Sequence, residues 1–231
     1  MLSKQQFNKA IDHTLLKATA TRDDILRFCD EAASHHFAAV VLFPYWVPTA
    51  VKRMHGTDIK ICTVISFPHG AGTRAAKVYE ARNAISIGAE EIDMVINIGA
   101  LKSGDYEYVE QEVNDIVTAA KLTGSTLVKL IIEAPVLTQE EKIKACHIAV
   151  NAGVDFVKTS TGTQQNGSAE EDVKLIRQVV GPNVGIKAAG GIRTVEQAMN
   201  LLDAGANRLG TSAGVALAEG YDPEDYYKGM K

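Results

Sequence analysis

Two lysines sit in apolar strand-like runs where buried strands rarely carry charge. Lys158 closes the run Phe156-Val157-Lys158 and is followed by Thr159, Ser160, Thr161 and Gly162 instead of packing residues. Lys187, in Gly185-Ile186-Lys187, is followed by Ala188, Ala189, Gly190 and Gly191. Burial disfavours an ammonium and pulls its pKa toward neutrality, which yields the free amine that attacks a carbonyl. The competing reading of Lys158 is a stem laid along apolar surface with its ammonium at the rim. One strand-plus-helix unit separates the two lysines, so they fall on neighbouring strands. Facing the same interior, each depresses the other's pKa further; facing opposite sides, they are unrelated.

Asp93, in Glu91-Ile92-Asp93-Met94-Val95, is an acid among Ile, Met and Val and needs a partner. It either orients a water or Lys187 for proton transfer or forms a structural ion pair. Asp12, in IDHTLL, is read as a hydrogen-bond acceptor for substrate hydroxyls, and its neighbour His13 as a packed imidazole. Lys129 is also mid-strand, yet Leu-Ile-Ile-Glu133 follows it, so it reads as an interior charge paired with a carboxylate and not as a nucleophile. Lys60 begins its strand and belongs at a solvent-facing end.

Glycine-rich turns after two successive strands, at 188–193 and 208–215, put Gly190, Gly191, Gly210 and Ser212 where barrel enzymes often hold phosphate, with Gly162 closing the cradle. Tight strand-to-helix turning would also select glycine there. No HExxH or paired histidine spacing marks a metal site, no GxSxG marks a serine elbow, and His35 and His36 fall at a helix end where exposure is common. Trp46 is placed in a loop after the second strand. Cys29, Cys62 and Cys146 are widely spaced and read as buried thiols.

Elements must position these groups. Eight short runs rich in Val and Ile recur at 11–17, 38–43, 59–67, 90–97, 126–133, 154–160, 184–190 and 207–212, nearly continuous and without clean alternation, the pattern of parallel strands covered on both faces. Helical segments at 22–36, 48–55, 73–87, 106–122, 139–152, 169–180 and 195–204, and a short one from Ala213, supply the crossovers. Thr138 with Glu141 and Ser168 with Glu171 read as capping boxes, and Gly88, Gly153 and Gly205 as left-handed helix ends. The fold class is α/β: a (β/α)8 TIM barrel filling one domain over 1–231, with a mobile tail from about residue 220, although the chain is shorter than the usual length of about 250. A doubly wound sheet would carry a GxGxxG after the first strand, which is absent.

The 231 residues carry 24 Lys+Arg and 28 Asp+Glu, a net charge of −4, with no basic block to track a nucleic-acid backbone. No apolar run approaches the roughly 18 residues of a membrane span, and the amino terminus does not read as a secretory signal, so the expected setting is cytoplasmic, with no membrane partner.

Taken together, IDHTLL, SFPHG (66–70), EIDMVINIGALKSGD (91–105), VKLIIE (128–133), FVKTSTG (156–162) and GIKAAGGIRT (185–194) resemble the deoxyribose-phosphate aldolases, Schiff-base enzymes of class I, over nearly the whole chain. The resemblance implies that Lys158 forms the imine and that Asp93 and Lys187 are the proton-transfer pair. It also implies that the phosphate meets Gly162, Gly190, Gly191, Gly210 and Ser212. The implied partners are a phosphorylated deoxysugar and small aldehydes. No metal or organic cofactor is implied, and the implied assembly is a homodimer. Two departures stand out: some relatives carry a cysteine near Val41, and some end in a tyrosine that reaches the site, whereas this chain offers Tyr221, Tyr226 and Tyr227 before its end.

Overall fold

The computed structural model describes residues 1–122, 124, 126–163, 167 and 169–228. Helix α1 (Lys4–Asn8) precedes β1 (Ile11–Leu15), followed by α2 (Arg22–His35), β2 (Ala39–Leu42), α3 (Val47–Arg53), β3 (Lys60–Ile65) and α4 (Arg74–Ser86). The middle of the chain forms β4 (Glu91–Val95), α5 (Ile98–Lys102), α6 (Tyr106–Leu122), β5 (Leu127–Ile131) and α7 (Gln139–Ala152). It continues through β6 (Phe156–Lys158), α8 (Glu170–Val180), β7 (Gly185–Ala189), α9 (Val195–Asp203), β8 (Arg208–Thr211), α10 (Gly214–Gly220) and α11 (Pro223–Lys228). All eight strands pair in parallel, each with its neighbours in sequence, and β1 closes on β8, which makes the (β/α)8 barrel.

The strands are shorter than their apolar runs because each run continues into the loop after it; β6 keeps only Phe156–Lys158 of residues 154–160. The expected lack of alternation is corrected by the register. Side chains of paired residues on parallel strands share a face. One row runs Val64, Asp93, Lys129, Phe156 and Gly185, and a second runs Ile131, Lys158, Lys187 and Arg208. A third runs Ala189, Gly210, Asp12 and Ala39. These rows line the lumen. The positions between them, Ile61, Ile92, Met94, Leu130, Val157, Ile186 and Leu209, are buried under the helices in the main apolar core. Charge and apolarity therefore do alternate on these strands, with every charge on the inner parity; Lys60 shares it but is exposed because it starts β3.

Thr138 and Glu141 form the expected reciprocal cap of α7, and Gly153 ends that helix in a left-handed conformation (φ 73°, ψ 42°). Gly88 and Gly205 also have positive φ, each one residue past its helix cap. The capping role read for Ser168 lies outside the described residues. The short helices α1, α5 and α11 carry too few turns for periodicity to announce them.

Residues 221–228 make contacts with the start of the chain. Tyr221 is fully buried and stacks on Phe7 with ring centroids 4.2 Å apart, its hydroxyl donating to the Leu2 carbonyl. The Tyr227 hydroxyl accepts the Leu2 amide at 3.1 Å. Residues 221–228 thus fold back on α1, which leads into the N-terminal end of β1, the end of the barrel away from the loops after the strands. None of Tyr221, Tyr226 and Tyr227 lines the cavity described below.

Candidate active site

Strand parity alone directs Asp93, Lys129, Lys158 and Lys187 into one lumen, and their side chains meet there. Lys158 Nζ lies 2.9 Å and Lys187 Nζ 2.7 Å from the same oxygen, Asp93 Oδ2. Lys129 Nζ holds the other oxygen, Oδ1, at 2.9 Å and also pairs with Glu91. The Cys62 thiol donates to Asp93 Oδ1 at 3.1 Å. Asp12 contacts Lys187 at 2.7 Å and pairs with Arg208, which reaches Glu91 at 3.2 Å.

Among the described residues the lumen thus carries the cations Lys129, Lys158, Lys187 and Arg208 against the carboxylates Asp12, Glu91 and Asp93. Buried charge must be matched, and the set balances when one lysine is neutral. The cause of each shift identifies which one. Burial lowers the Lys158 pKa, Lys187 lowers it again, and the attraction of Asp93 does not make up the difference. Burial opposes the charged form of Lys187 too, but Asp12 and Asp93 together raise it above the usual lysine range. Lys129 is held well above that range because Asp93 and Glu91 outweigh its burial. Burial works against the Asp93 anion, and Lys129, Lys158 and Lys187 overcome it, so Asp93 stays ionised. Of the three lysines only Lys158 is shifted toward the neutral amine.

Lys158 also differs in access. It ends β6 and lines a cavity of about 280 Å³ at the C-terminal end of the barrel. Asp93, Lys129 and Lys187 lie beneath and do not line it. Gly162, Gly190, Gly191, Gly210 and Ser212 all do, as their turn positions predict. Gly190 has a φ of 100°, and a Cβ there would lie 2.9 Å from Ser160 Oγ and 3.3 Å from Gly162 Cα, so two loop backbones meet because it has none. Thr159 and Ser160 are buried instead of lining the cavity, and the Ser160 hydroxyl donates to the Ala189 carbonyl at 2.6 Å.

Asp12 reaches Lys187 and Arg208 and does not line the cavity. His13 faces outward, stacked on Phe28 with centroids 3.7 Å apart and 3.0 Å from Glu31, as a packed imidazole should be. Lys129 finds Asp93 and Glu91, while Glu133 lies past the end of β5 and accepts the Thr161 amide. Sequence reasoning passed over Glu91 and Arg208 and read Cys62 only as a buried thiol, although each shares the parity of a recognised lumen residue. It also passed over Lys17 and Arg193 at the cavity mouth, exposed cations with no ion-pair partner among the described residues. No Asp or Glu among the described residues lines that cavity. No group of three or more His, Cys, Asp or Glu among them is placed to hold a metal ion, and no helix among them is long and apolar enough to cross a membrane.

The family model for DeoC/LacD family aldolases matches residues 7–218. The chain belongs to the DeoC/LacD aldolase family. Within it, the chain is 52% identical over 219 residues to a deoxyribose-phosphate aldolase of a Geobacillus species, covering 95% of this chain and 97% of the relative. It is 53% identical over 222 residues to one from Lactococcus lactis, covering 96% and 100%. Among solved structures of the family, the deoxyribose phosphate aldolase of Aeropyrum pernix, described as a unique tetramer, superposes with a TM-score of 0.87 at 33% identity, covering 99% of this chain and 94% of that one.

Proposed function

We propose that this aldolase reversibly cleaves 2-deoxy-D-ribose 5-phosphate to D-glyceraldehyde 3-phosphate and acetaldehyde through an imine on Lys158. The observation that carries the reading is that Lys158 combines a depressed pKa with access to the cavity. Its neutral amine adds to the sugar aldehyde at C1, and the carbinolamine loses water to give a protonated imine. The C2–C3 bond then breaks with its electron pair drawn toward the iminium nitrogen, while the C3 hydroxyl gives up its proton and becomes the aldehyde of glyceraldehyde 3-phosphate. The enamine left on Lys158 is protonated at C2, and water releases acetaldehyde and restores the amine.

Asp93 and Lys187 form the proton-transfer pair. In the resting site Asp93 is ionised and Lys187 is held as an ammonium, so the carboxylate is free to take up a proton and the ammonium to give one, directly or through a water. Asp12 keeps Lys187 charged. The phosphate sits at the mouth against Gly162, Gly190, Gly191, Gly210 and Ser212, with Lys17 and Arg193 supplying the positive charge. The lysine imine is the electron sink, so activity is expected to survive excess chelator. Family resemblance supports a homodimer acting in the cytoplasm, which light scattering and fractionation would read.

Borohydride added with substrate should fix a two-carbon or sugar adduct on Lys158, seen as a mass gain on its peptide together with inactivation. Full activity of Lys158→Ala would overturn the covalent route.

A further inference from the structure

We propose that Glu133 is a positioning residue for the loop bearing Thr161 and Gly162, and hence for recognition of the substrate's anionic end, a role that rests on the phosphosugar reading above. Strand β5 ends at Ile131, but the chain keeps following β6: the Ile132 amide donates to the Lys158 carbonyl at 3.1 Å and the Ala134 amide to the Thr159 carbonyl at 2.8 Å. Between them Glu133 adopts a left-handed conformation (φ 55°, ψ 54°), and its Oε2 accepts the Thr161 amide at 2.9 Å. Its other oxygen, Oε1, is buried with no hydrogen-bond partner.

Two unfavourable features coincide here. A β-carbon in the left-handed region is strained, and a buried carboxylate with one oxygen unmatched has lost solvation without full return. Glycine would remove both. What glutamate adds is an acceptor for the Thr161 amide, in the segment where β6 has run out of ladder partners. The opposite side of this segment is pinned by Ser160 Oγ on the Ala189 carbonyl at 2.6 Å. Thr161 and Gly162 line the cavity, and Glu133 does not. Glu133 therefore shapes the cavity from behind, next to the glycine contact between Gly162 and Gly190.

Glu133→Ala and Glu133→Gln test this against two substrates, 2-deoxyribose 5-phosphate and unphosphorylated 2-deoxyribose, with amide hydrogen exchange at Thr161. Loss of the acceptor in Glu133→Ala should raise KM for the phosphorylated sugar about tenfold, leave turnover of unphosphorylated sugar unchanged, and abolish protection of the Thr161 amide. Glu133→Gln keeps an acceptor oxygen and should restore both. Equal loss on the two sugars, or a Thr161 amide still protected in Glu133→Ala, would overturn the proposal. If Glu133→Ala does not fold, Glu133→Asp withdraws the acceptor by one methylene and is read in the same way. A wild-type chain that cleaves neither sugar would refute the aldolase reading alone; weaker binding of inorganic phosphate by the variant, together with the Thr161 exchange, still decides the role of Glu133.

Discussion

Lys158 and Lys187 are bound to a single oxygen atom, Asp93 Oδ2, at 2.9 and 2.7 Å. Two ammonium groups so close repel each other, and the proton is lost where the remaining surroundings compensate least. Lys187 has Asp12 as a second carboxylate partner, and Lys158 has no second one among the described residues. The proposed division into nucleophile and proton donor rests on that asymmetry.

Removing Lys187 should retune Lys158. Burial and then Lys187 lower the Lys158 pKa against the pull of Asp93, so in Lys187→Met the amine becomes more basic. The acid limb of kcat/KM should move to higher pH by on the order of one unit, and kcat should fall about 100- to 10,000-fold as the proton donor is lost. The pH–rate profile measures both, and a stationary limb would remove Lys187 from control of the nucleophile.

Lys158 should also cost stability. With a folded pKa below its ordinary 10.5, Lys158 binds fewer protons folded than unfolded, so its contribution is unfavourable below the folded pKa and improves as pH rises toward 10.5. Lys158→Met leaves Asp93 its two other lysines and should be more stable at neutral pH by about 1 kcal/mol. Urea titrations across pH would show the alkaline rise in wild-type stability missing from the variant.

Asp12 acts in the opposite sense. Burial disfavours its anion, but Lys187, Lys129 and Arg208 outweigh that and lower its pKa from 3.8 to about 2. Its stabilisation is fully present above 3.8 and is lost as pH falls through about 2. Asp12→Asn should lose about 3–5 kcal/mol at neutral pH by leaving buried cations unmatched and show a flatter acid limb, measured by thermal unfolding from neutral pH downward.

The cavity mouth should read charge. Lys17→Ala combined with Arg193→Ala should raise KM for the phosphorylated sugar roughly tenfold without altering turnover of the unphosphorylated one. The wild-type preference for phosphate should weaken with added salt, since both side chains are exposed. Equal kinetics on both sugars before and after substitution would place the phosphate elsewhere.

Much of this was legible in the sequence. Eight Val- and Ile-rich runs with helical segments between them imply the barrel, because parallel strands buried on both faces need crossovers. The oddity of Lys158, Lys187 and Asp93 marks the site because isolated buried charge is unfavourable, and the five predicted phosphate-end residues do line one cavity. Composition and order were enough for that much.

What only tertiary structure decided is which charges meet. Glu91, Cys62 and Arg208 join the network through register around a closed barrel, since Asp12 and Arg208 lie 196 positions apart in the chain. The tyrosines near the carboxyl end pack on α1, a contact that no local pattern encodes. Even the proposed choice of Lys158 over Lys187 as nucleophile depends on Asp12 reaching one amine and not the other. Electrostatic assignment needs distances, and distances between strands exist only once the barrel is closed.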